Sequence, residues 1–161
     1  MKLITTDYGD IQYEKEDLIL FSDGLFGFTD LTEYLLICLN DEDNSLLILQ
    51  STQRPEISFA VINPVLLCPD YSPVLTPEEL YSMGVKDSED LSYYAICIVK
   101  KDLQDSMVNL KCPLAINPQT LKGMQVILEG SYYQFRHRIG DLLQDSENTE
   151  SGSETNADIE T

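Results

Sequence analysis

The hydrophobic positions of this chain fall in short runs separated by polar turns. Most runs are four to seven residues long and rich in Ile, Val, Leu and Tyr, which is typical of β-strands. Some, such as LLIL and AICIV, are apolar at nearly every position, which indicates burial on both faces. The predicted strands are Lys2–Thr6, Leu18–Phe21, Tyr34–Leu39, Leu46–Gln50, Ser58–Ile62, Tyr94–Lys100, Met107–Leu110, Leu114–Asn117 and Met124–Leu128. We therefore expect a mostly β fold, a single compact antiparallel β-barrel-like or sandwich domain of about nine short strands with one or two short helices.

Two segments carry helix signals. Thr76 and Glu79 have the spacing of a capping box, Pro77 fits the first helical turn, and Gly84 follows LYSM as a stop signal. A second, single-turn helix is predicted at Asp30–Leu35, with Asp30 as its cap and an acidic residue three positions later.

The net charge is strongly negative. The 161 residues hold 28 acidic and 10 basic side chains, which gives a formal charge of −18 and a pI of about 4.1. Such a chain lacks the Lys and Arg excess that binding a phosphate backbone needs, and an anionic membrane surface would repel it. We therefore expect no direct nucleic-acid binding and no membrane partner. A compact body of this charge attracts basic partners instead.

The chain changes composition near its C-terminus. From Asp141 to Thr161 there are seven acidic residues and no basic one, and Ile159 is the one large apolar side chain after Leu143. Such a stretch buries too little apolar surface to offset the entropy of ordering. The prediction is a folded domain over residues 1–143 and a disordered acidic tail over residues 144–161. The tail either keeps the protein soluble or modulates binding.

The four cysteines carry no metal or redox pattern. No two have C-x-x-C spacing, and Cys38 and Cys97 stand in apolar runs where cysteine behaves as a small buried hydrophobe. The chain opens without a secretory signal, and no apolar run approaches the ~20 residues that cross a bilayer. We expect a cytoplasmic protein with reduced thiols.

The sequence offers little for catalysis or cofactor binding. His137 is the one histidine, and no nucleophile elbow or phosphate-binding loop accompanies it. The acidic run at 41–45 fails as a calcium loop, because Leu46 and Thr52 stand where Gly and Glu are required. We expect no enzyme, no cofactor and no metal, although a catalytic role of His137 stays as a minor alternative.

Several blocks of the chain, in order, resemble one family. They are YGDIQY at Tyr8–Tyr13, LILFSDGLFGF at Leu18–Phe28, LLILQS at Leu46–Ser51, FAVINP at Phe59–Pro64 and VNLKCPLAINPQTLKGMQVIL at Val108–Leu128. Together they resemble the flagellar assembly factor FliW family over roughly residues 3–140. The chain departs from the family pattern at Phe26, where proline is common and would fix φ.

The resemblance implies a non-enzymatic switch between two protein partners. Members of this family bind flagellin as a chaperone-like partner, and they bind the RNA-binding translational repressor CsrA and so relieve its block on flagellin synthesis. An acidic body suits a partner that presents a basic surface to RNA. A flagellin export chaperone without a translational role is the alternative. We expect a monomer, because an acidic body repels its own copy.

The residues that carry binding are predicted in three groups. The first comprises exposed acids for the repressor, which are otherwise solvated turns: Asp41, Glu42, Asp43, Asp102 and Asp105. The second comprises aromatic anchors for flagellin, which are otherwise core residues: Tyr132, Tyr133 and Phe135. The third comprises residues matched to the family's motifs, for which an architectural role is favoured over contact: Phe28, Leu49, Gln50, Asn63, Asn109 and Gln125.

Overall fold

The computed structural model describes residues 1–38 and 46–144. The strands are β1 (Lys2–Ile4), β2 (Asp10–Gln12), β3 (Ile19–Phe21), β4 (Glu33–Cys38), β5 (Leu46–Ser51), β6 (Ser58–Ile62), β7 (Ser92–Ile98), β8 (Met107–Val108), β9 (Leu114–Ile116), β10 (Lys122–Gln125) and β11 (His137–Arg138). Helix α1 spans Pro77–Met83, and residues 139–144 form a second helical segment, α2. Short 3-10 turns occur at Lys15–Asp17, Pro64–Leu66, Ser88–Asp90 and Leu103–Asp105.

Seven strands close into a β-barrel. Their order is β7-β6-β5-β4-β3-β10-β9, and β9 also pairs with β7, which completes the ring. All neighbours are antiparallel except β3 and β10, which run parallel. Strands β8 and β11 extend the sheet from the last residues of β7, and β1 with β2 forms a separate hairpin. The predicted barrel of short strands is confirmed. The prediction was of an antiparallel sheet and did not include the parallel pair of β3 and β10.

The barrel interior is filled by alternate residues of each strand, as the pleat requires. Phe21 and Tyr34 meet edge to face with their ring centroids 5.6 Å apart. Gly123 lies beneath the Phe21 ring, where an added Cβ would come within 2.5 Å of Phe21 Cε1. Burial raises the pKa of the Tyr34 hydroxyl to about 12, and this hydroxyl has no hydrogen-bond partner among the described residues. Leu49, Val61, Leu114 and Ile116 complete the interior.

The long connection between β6 and β7 covers one outer face of the barrel. Outward-pointing Ala95 and Cys97 of β7 are buried beneath it, and burial raises the pKa of the Cys97 thiol to about 12. Tyr71 Oη donates a hydrogen bond to the carbonyl of Leu110 at 2.7 Å, which ties the connection to the barrel. The AICIV run predicted burial on both faces: this layer buries Ala95 and Cys97, but the prediction is wrong for Ile98 and Val99, which are exposed.

Helix α1 has the predicted caps. The Thr76 hydroxyl accepts from the Glu79 backbone N–H at 3.1 Å, and the Glu79 carboxylate accepts from the Thr76 backbone N–H at 2.8 Å. Gly84 ends the helix with φ 73° and ψ 28°, a left-handed conformation that glycine adopts without strain.

The helix predicted at Asp30–Leu35 is wrong. Residues from Glu33 onward form β4, in which Tyr34 pairs with Ser51 and Leu35 with Gln50. The alternation of inward and outward side chains along β4 outweighs the local capping signal, because pairing with β3 and β5 buries both Tyr34 and Leu35. Cys38, predicted to be buried, is exposed at the last residue of β4.

Elements missed by the sequence analysis are short or polar. Strands β2 and β11 have three and two residues, and α2 occupies the boundary between the predicted domain and tail. Gln144, the first residue of the predicted tail, is still helical. Residues 145–161 lie outside the described residues, so the division of the chain at 143 stays a prediction.

Candidate functional site

Loops that carry most of the candidate residues meet at one end of the barrel. Strands β3, β5, β7 and β10 run in the same direction, so their carboxyl ends point to the same side. The loops that follow them, residues 22–32, 52–57, 99–106 and 126–136, together with 109–113 before β9, are here named the loop end. Seven candidates lie there: Phe28, Asp102, Asp105, Asn109, Tyr132, Tyr133 and Phe135. Gln50 and Gln125 lie at the ends of β5 and β10 that lead into it. Asn63 lies at the opposite end, and Asp41, Glu42 and Asp43 fall outside the described residues.

Gln50 holds the turn between β5 and β6. Its side chain is fully buried, and Nε2 donates to the carbonyls of Ser51 at 3.0 Å, Pro55 at 2.9 Å and Ile57 at 3.1 Å. Its Oε1 has no hydrogen-bond partner among the described residues. A buried amide that satisfies backbone carbonyls fixes the shape of the turn that it spans.

Gln125 and Asn109 connect other loops of the same end. Gln125 Oε1 accepts from the backbone N–H of Phe26 at 2.8 Å, and its Nε2 donates to the carbonyl of Cys112 at 3.2 Å. Asn109 Oδ1 accepts from the backbone N–H groups of Lys111 and Cys112 at 3.1 and 3.0 Å. Gln125 therefore fixes two loops relative to each other, and Asn109 fixes the shape of one of them.

The remaining motif residues also make contacts within the chain. The rings of Phe28 and Phe59 meet edge to face at 5.2 Å, and Leu49 is buried in the barrel interior. Asn63 Oδ1 accepts from the backbone N–H of Val65 at 3.1 Å and caps the 3-10 turn that follows. All six motif residues therefore make contacts within the chain, and both the architectural role and a direct contact with a partner stay predictions for each.

The acidic turn after β7 is partly neutralised. Asp102 Oδ1 accepts from the backbone N–H of Gln104 at 3.1 Å and so caps the 3-10 turn. Asp105 Oδ1 accepts from Arg138 Nη2 at 3.0 Å. Lys100 and Lys101 line the same shallow depression as both acids. Both carboxylates therefore lie at the surface, but the cations Lys100, Lys101 and Arg138 lie beside them.

The three aromatic candidates divide into two kinds. Tyr132 is 98% exposed and Phe135 is 58% exposed, with the Lys111 ammonium 5.9 Å from the Phe135 ring centroid. Tyr133 packs on Tyr71 with a centroid separation of 4.7 Å, and burial raises the pKa of its hydroxyl. Tyr132 and Phe135 are therefore surface residues, while Tyr133 belongs to the layer outside the barrel.

Phe26 is an exposed aromatic that the list of candidates missed. It stands at the tip of a tight turn closed by a bond from the Phe28 N–H to the Leu25 carbonyl at 2.8 Å, and Gly27 takes φ 87°. Its ring is 52% exposed although its backbone is fixed by Gln125. The sequence did contain a signal for this exposure, because Phe26 stands in a turn between Gly24 and Gly27.

The connection over the barrel presents a second surface that was missed. It carries one basic residue, Lys86, while Tyr81 on α1 is 89% exposed. Its acidic residues are Asp70, Glu78, Glu79, Asp87, Glu89 and Asp90. This set, with Tyr81, is named the acidic face.

His137 acts as a hydrogen-bond acceptor. Its Nε2 accepts from the backbone N–H of Gln134 at 2.8 Å, and burial lowers its pKa from the usual value. In the part of the chain that the structure describes, no cluster of three or more His, Cys, Asp or Glu side chains could hold a metal ion. None of the helices described is long and apolar enough to cross a membrane.

Comparison with known proteins covers nearly the whole described fold. The family model described as FliW protein matches residues 2–139. A relative from Ruminiclostridium cellulolyticum, named flagellar assembly factor FliW, is 37% identical over 147 residues, which cover 91% of this chain and 99% of the relative. A protein of the same name from Syntrophomonas wolfei is 36% identical, over 92% of this chain and 95% of its own.

The fold agrees with the sequence comparison. A crystal structure of the flagellar assembly factor FliW superposes with a TM-score of 0.79 at 30% identity, and the match covers 86% of this chain and 96% of the other. The residues that the family model matches include the barrel strands and the loop end. The chain belongs to the FliW family.

Proposed function

We propose that this protein is a cytoplasmic flagellar assembly factor that alternates between two protein partners. It binds flagellin as a chaperone-like partner, and when free it binds and antagonises the translational repressor CsrA, which relieves repression of flagellin translation. It acts by binding and not by catalysis. The observation that carries the proposal is the match of the FliW protein family over residues 2–139, together with relatives named flagellar assembly factor.

The charge distribution supports a basic partner. Residues 1–97 hold 18 acidic and four basic side chains, so most of the negative charge lies on this part of the chain. The acidic face combines six of these acids with the exposed ring of Tyr81. A repressor that presents cations to RNA would meet this surface quickly and in a salt-dependent way.

Exposed apolar side chains support a second, different mode of binding. Phe26, Tyr132 and Phe135 are exposed on the loop end, whose residue ranges hold six acidic and five basic side chains and so carry little net charge. Aromatic side chains held on a fixed backbone are favoured anchors for a partner helix or segment. We propose that flagellin binds through this end.

Titration calorimetry with each partner tests the proposal. The face variant carries Glu78→Lys and Glu89→Lys, which leave both capping boxes of the acidic face intact. The control variant carries Asp7→Lys and Glu16→Lys, which change the net charge equally at exposed residues outside both proposed surfaces. We expect the face variant to lose about tenfold or more in affinity for CsrA, the control to lose much less, and flagellin binding to persist in both.

The outcomes separate the two functions under consideration. Binding of flagellin without any binding of CsrA would contradict the translational role and favour the export chaperone alternative. Equal losses in both variants would contradict the acidic face as the contact surface. Failure to bind either partner would overturn the proposal as a whole.

A further inference from the structure

One lysine of the loop end lies among exposed apolar side chains. The Lys111 ammonium is 5.9 Å from the centroid of the Phe135 ring, which is within the range of a cation–π interaction. The two segments are neighbours, because the Lys111 backbone N–H donates to the carbonyl of Gln134 at 3.2 Å. Phe135 is exposed, so a partner that packs on this ring also reaches the ammonium.

Ile127 adds a second apolar side chain beside Lys111. The backbone N–H of Leu128 donates to the Lys111 carbonyl at 2.8 Å, so the segment that contains Ile127 lies directly next to the lysine. Val126 and Leu128 are buried, whereas Ile127 between them is 42% exposed. The segment therefore turns two apolar side chains inward and presents the third at the surface.

Phe26 is held against the same part of the chain. Its backbone N–H donates to Gln125 Oε1 at 2.8 Å, and Gln125 Nε2 donates to the carbonyl of Cys112, the residue after Lys111, at 3.2 Å. One glutamine side chain therefore joins the Phe26 turn to the segment that carries the lysine. We name this set of exposed apolar side chains and their cation the lysine surface: Phe26, Ile127, Phe135 and Lys111.

The charge of Lys111 is not neutralised by the chain around it. Lys111 makes no ion pair with any residue that the structure describes. Between Met107 and Arg138 the sequence holds four cations and a single acid, Glu129. A partner that covers the apolar side chains of the lysine surface also removes water from this ammonium. Burial of an unpaired charge is costly, so such a partner must supply a counter-charge.

We propose that the lysine surface recognises a partner segment that carries a carboxylate beside apolar side chains, and that Lys111 binds this carboxylate. The inference rests on the proposed binding of flagellin through the loop end, and it adds the chemistry of the flagellin segment that binds. Phe26, Ile127 and Phe135 supply apolar contact area. Lys111 distinguishes a segment with an acid at this place from one without, because only the former pairs the ammonium.

The two proposed binding surfaces therefore differ in the charge that they select. The acidic face, with its six carboxylates, attracts a basic partner. Lys111 repels a cation that approaches the lysine surface and favours an acid. A partner that fits one surface by charge gains nothing from the other, which keeps the two partners on separate parts of the molecule.

Titration calorimetry with flagellin tests the role of Lys111. Lys111→Glu reverses the charge, and Lys111→Met removes it but keeps an unbranched apolar side chain. Lys122→Glu is the matched control, since Lys122 starts β10 and the loop end follows the last residue of that strand. We expect flagellin affinity to fall about tenfold or more in Lys111→Glu, about threefold in Lys111→Met and less than about twofold in Lys122→Glu.

Salt and the second partner separate a charge contact from a folding defect. The difference in flagellin affinity between the unmodified chain and Lys111→Met should shrink towards onefold at about 0.5 M salt. CsrA affinity should change by less than about twofold in Lys111→Glu. Carbodiimide treatment of the flagellin complex should join Lys111 to an Asp or Glu of flagellin that has apolar neighbours, while Lys15 and Lys122 stay largely unlinked.

The outcomes separate this inference from the function on which it rests. If the unmodified chain binds flagellin and Lys111→Glu binds it equally well, the carboxylate contact is refuted and flagellin binding stands. Equal losses in Lys111→Glu and Lys122→Glu would also refute the contact, because they would show an effect of net charge alone. If the unmodified chain does not bind flagellin, the proposed function fails and this inference fails with it.

Discussion

Replacing Gln50 tests whether a residue of the family's motifs acts through architecture. Gln50→Leu keeps a similar volume but removes both amide N–H donors from the carbonyls of Ser51, Pro55 and Ile57. Two of these carbonyls keep a second donor, since the Ser51 N–H reaches Ile57 O at 3.0 Å and the Thr6 N–H reaches Pro55 O at 3.4 Å. Because the amide has two N–H groups, the loss is counted as two hydrogen bonds, with the carbonyls of Pro55 and Ile57 still satisfied.

The magnitude follows from the bonds lost. At about 0.5–1.5 kcal/mol for each bond, Gln50→Leu should lower the free energy of unfolding by about 1–3 kcal/mol. For a chain of this length that corresponds to a fall in Tm of about 2–4 °C per kcal/mol. Gln50→Ala should lose more, because it also leaves a cavity.

Urea unfolding followed by far-UV circular dichroism suits this protein, which contains no tryptophan. Gln119→Leu is the matched control, since Gln119 is exposed, and it should change stability by less than about 0.5 kcal/mol. Equal stability of Gln50→Leu and the unmodified chain would refute the architectural assignment. A loss of partner affinity without a loss of stability would assign Gln50 to the contact surface.

Three further predictions concern turns and a titrating group. Gly24→Ala should lower the free energy of unfolding by more than about 3 kcal/mol, and Gly27→Ala by about 1 kcal/mol. Both glycines have positive φ, but only a Cβ at Gly24 would meet backbone atoms, the nearest at 2.5 Å. Urea titration compares the two variants, and equal effects would refute the clash. Phe26→Pro should not stabilise the chain, because proline has no backbone N–H to donate to Gln125 Oε1. A rise of about 1 kcal/mol in the free energy of unfolding, measured in the same assay, would contradict the importance of that hydrogen bond. Burial lowers the pKa of His137, so the stability that its neutral form contributes is fully present above the usual pKa of 6.5 and is lost as the pH falls from there through the lower pKa of the folded state. The slope of stability between about pH 7.5 and 5.5 should shrink in His137→Gln, and an unchanged slope would contradict this.

The strands were the predictable part of this fold. Runs such as SFAVI and LLILQS coincide with β6 and β5, because apolar β-branched residues that pack on both faces specify a strand locally. Strand β11 could not be found in this way. Its His137 and Arg138 are polar, and they become a strand because β8 offers them a pairing edge. The helix predicted at Asp30–Leu35 is wrong for the converse reason: pairing of β4 with β3 and β5 outweighs the local capping signal.

The candidate site was predictable as residues but not as a surface. The family resemblance selected Gln125, and the preference of interfaces for aromatic residues selected Tyr132. Nothing local says that both lie towards the same end of the barrel; that follows from strand direction. The charge of Asp105 was visible, but the partner that neutralises it, Arg138, is 33 positions away. Contacts of this range depend on topology, which single-residue arguments do not supply.

Competition between the two partners is the most direct test of the account. Calorimetric titration of this protein with CsrA, first alone and then with flagellin already bound, measures it at about 0.05 M and 0.5 M salt. The account predicts tight binding of CsrA that weakens with salt and disappears when flagellin occupies the protein. CsrA binding that is unaffected by bound flagellin would contradict the switch.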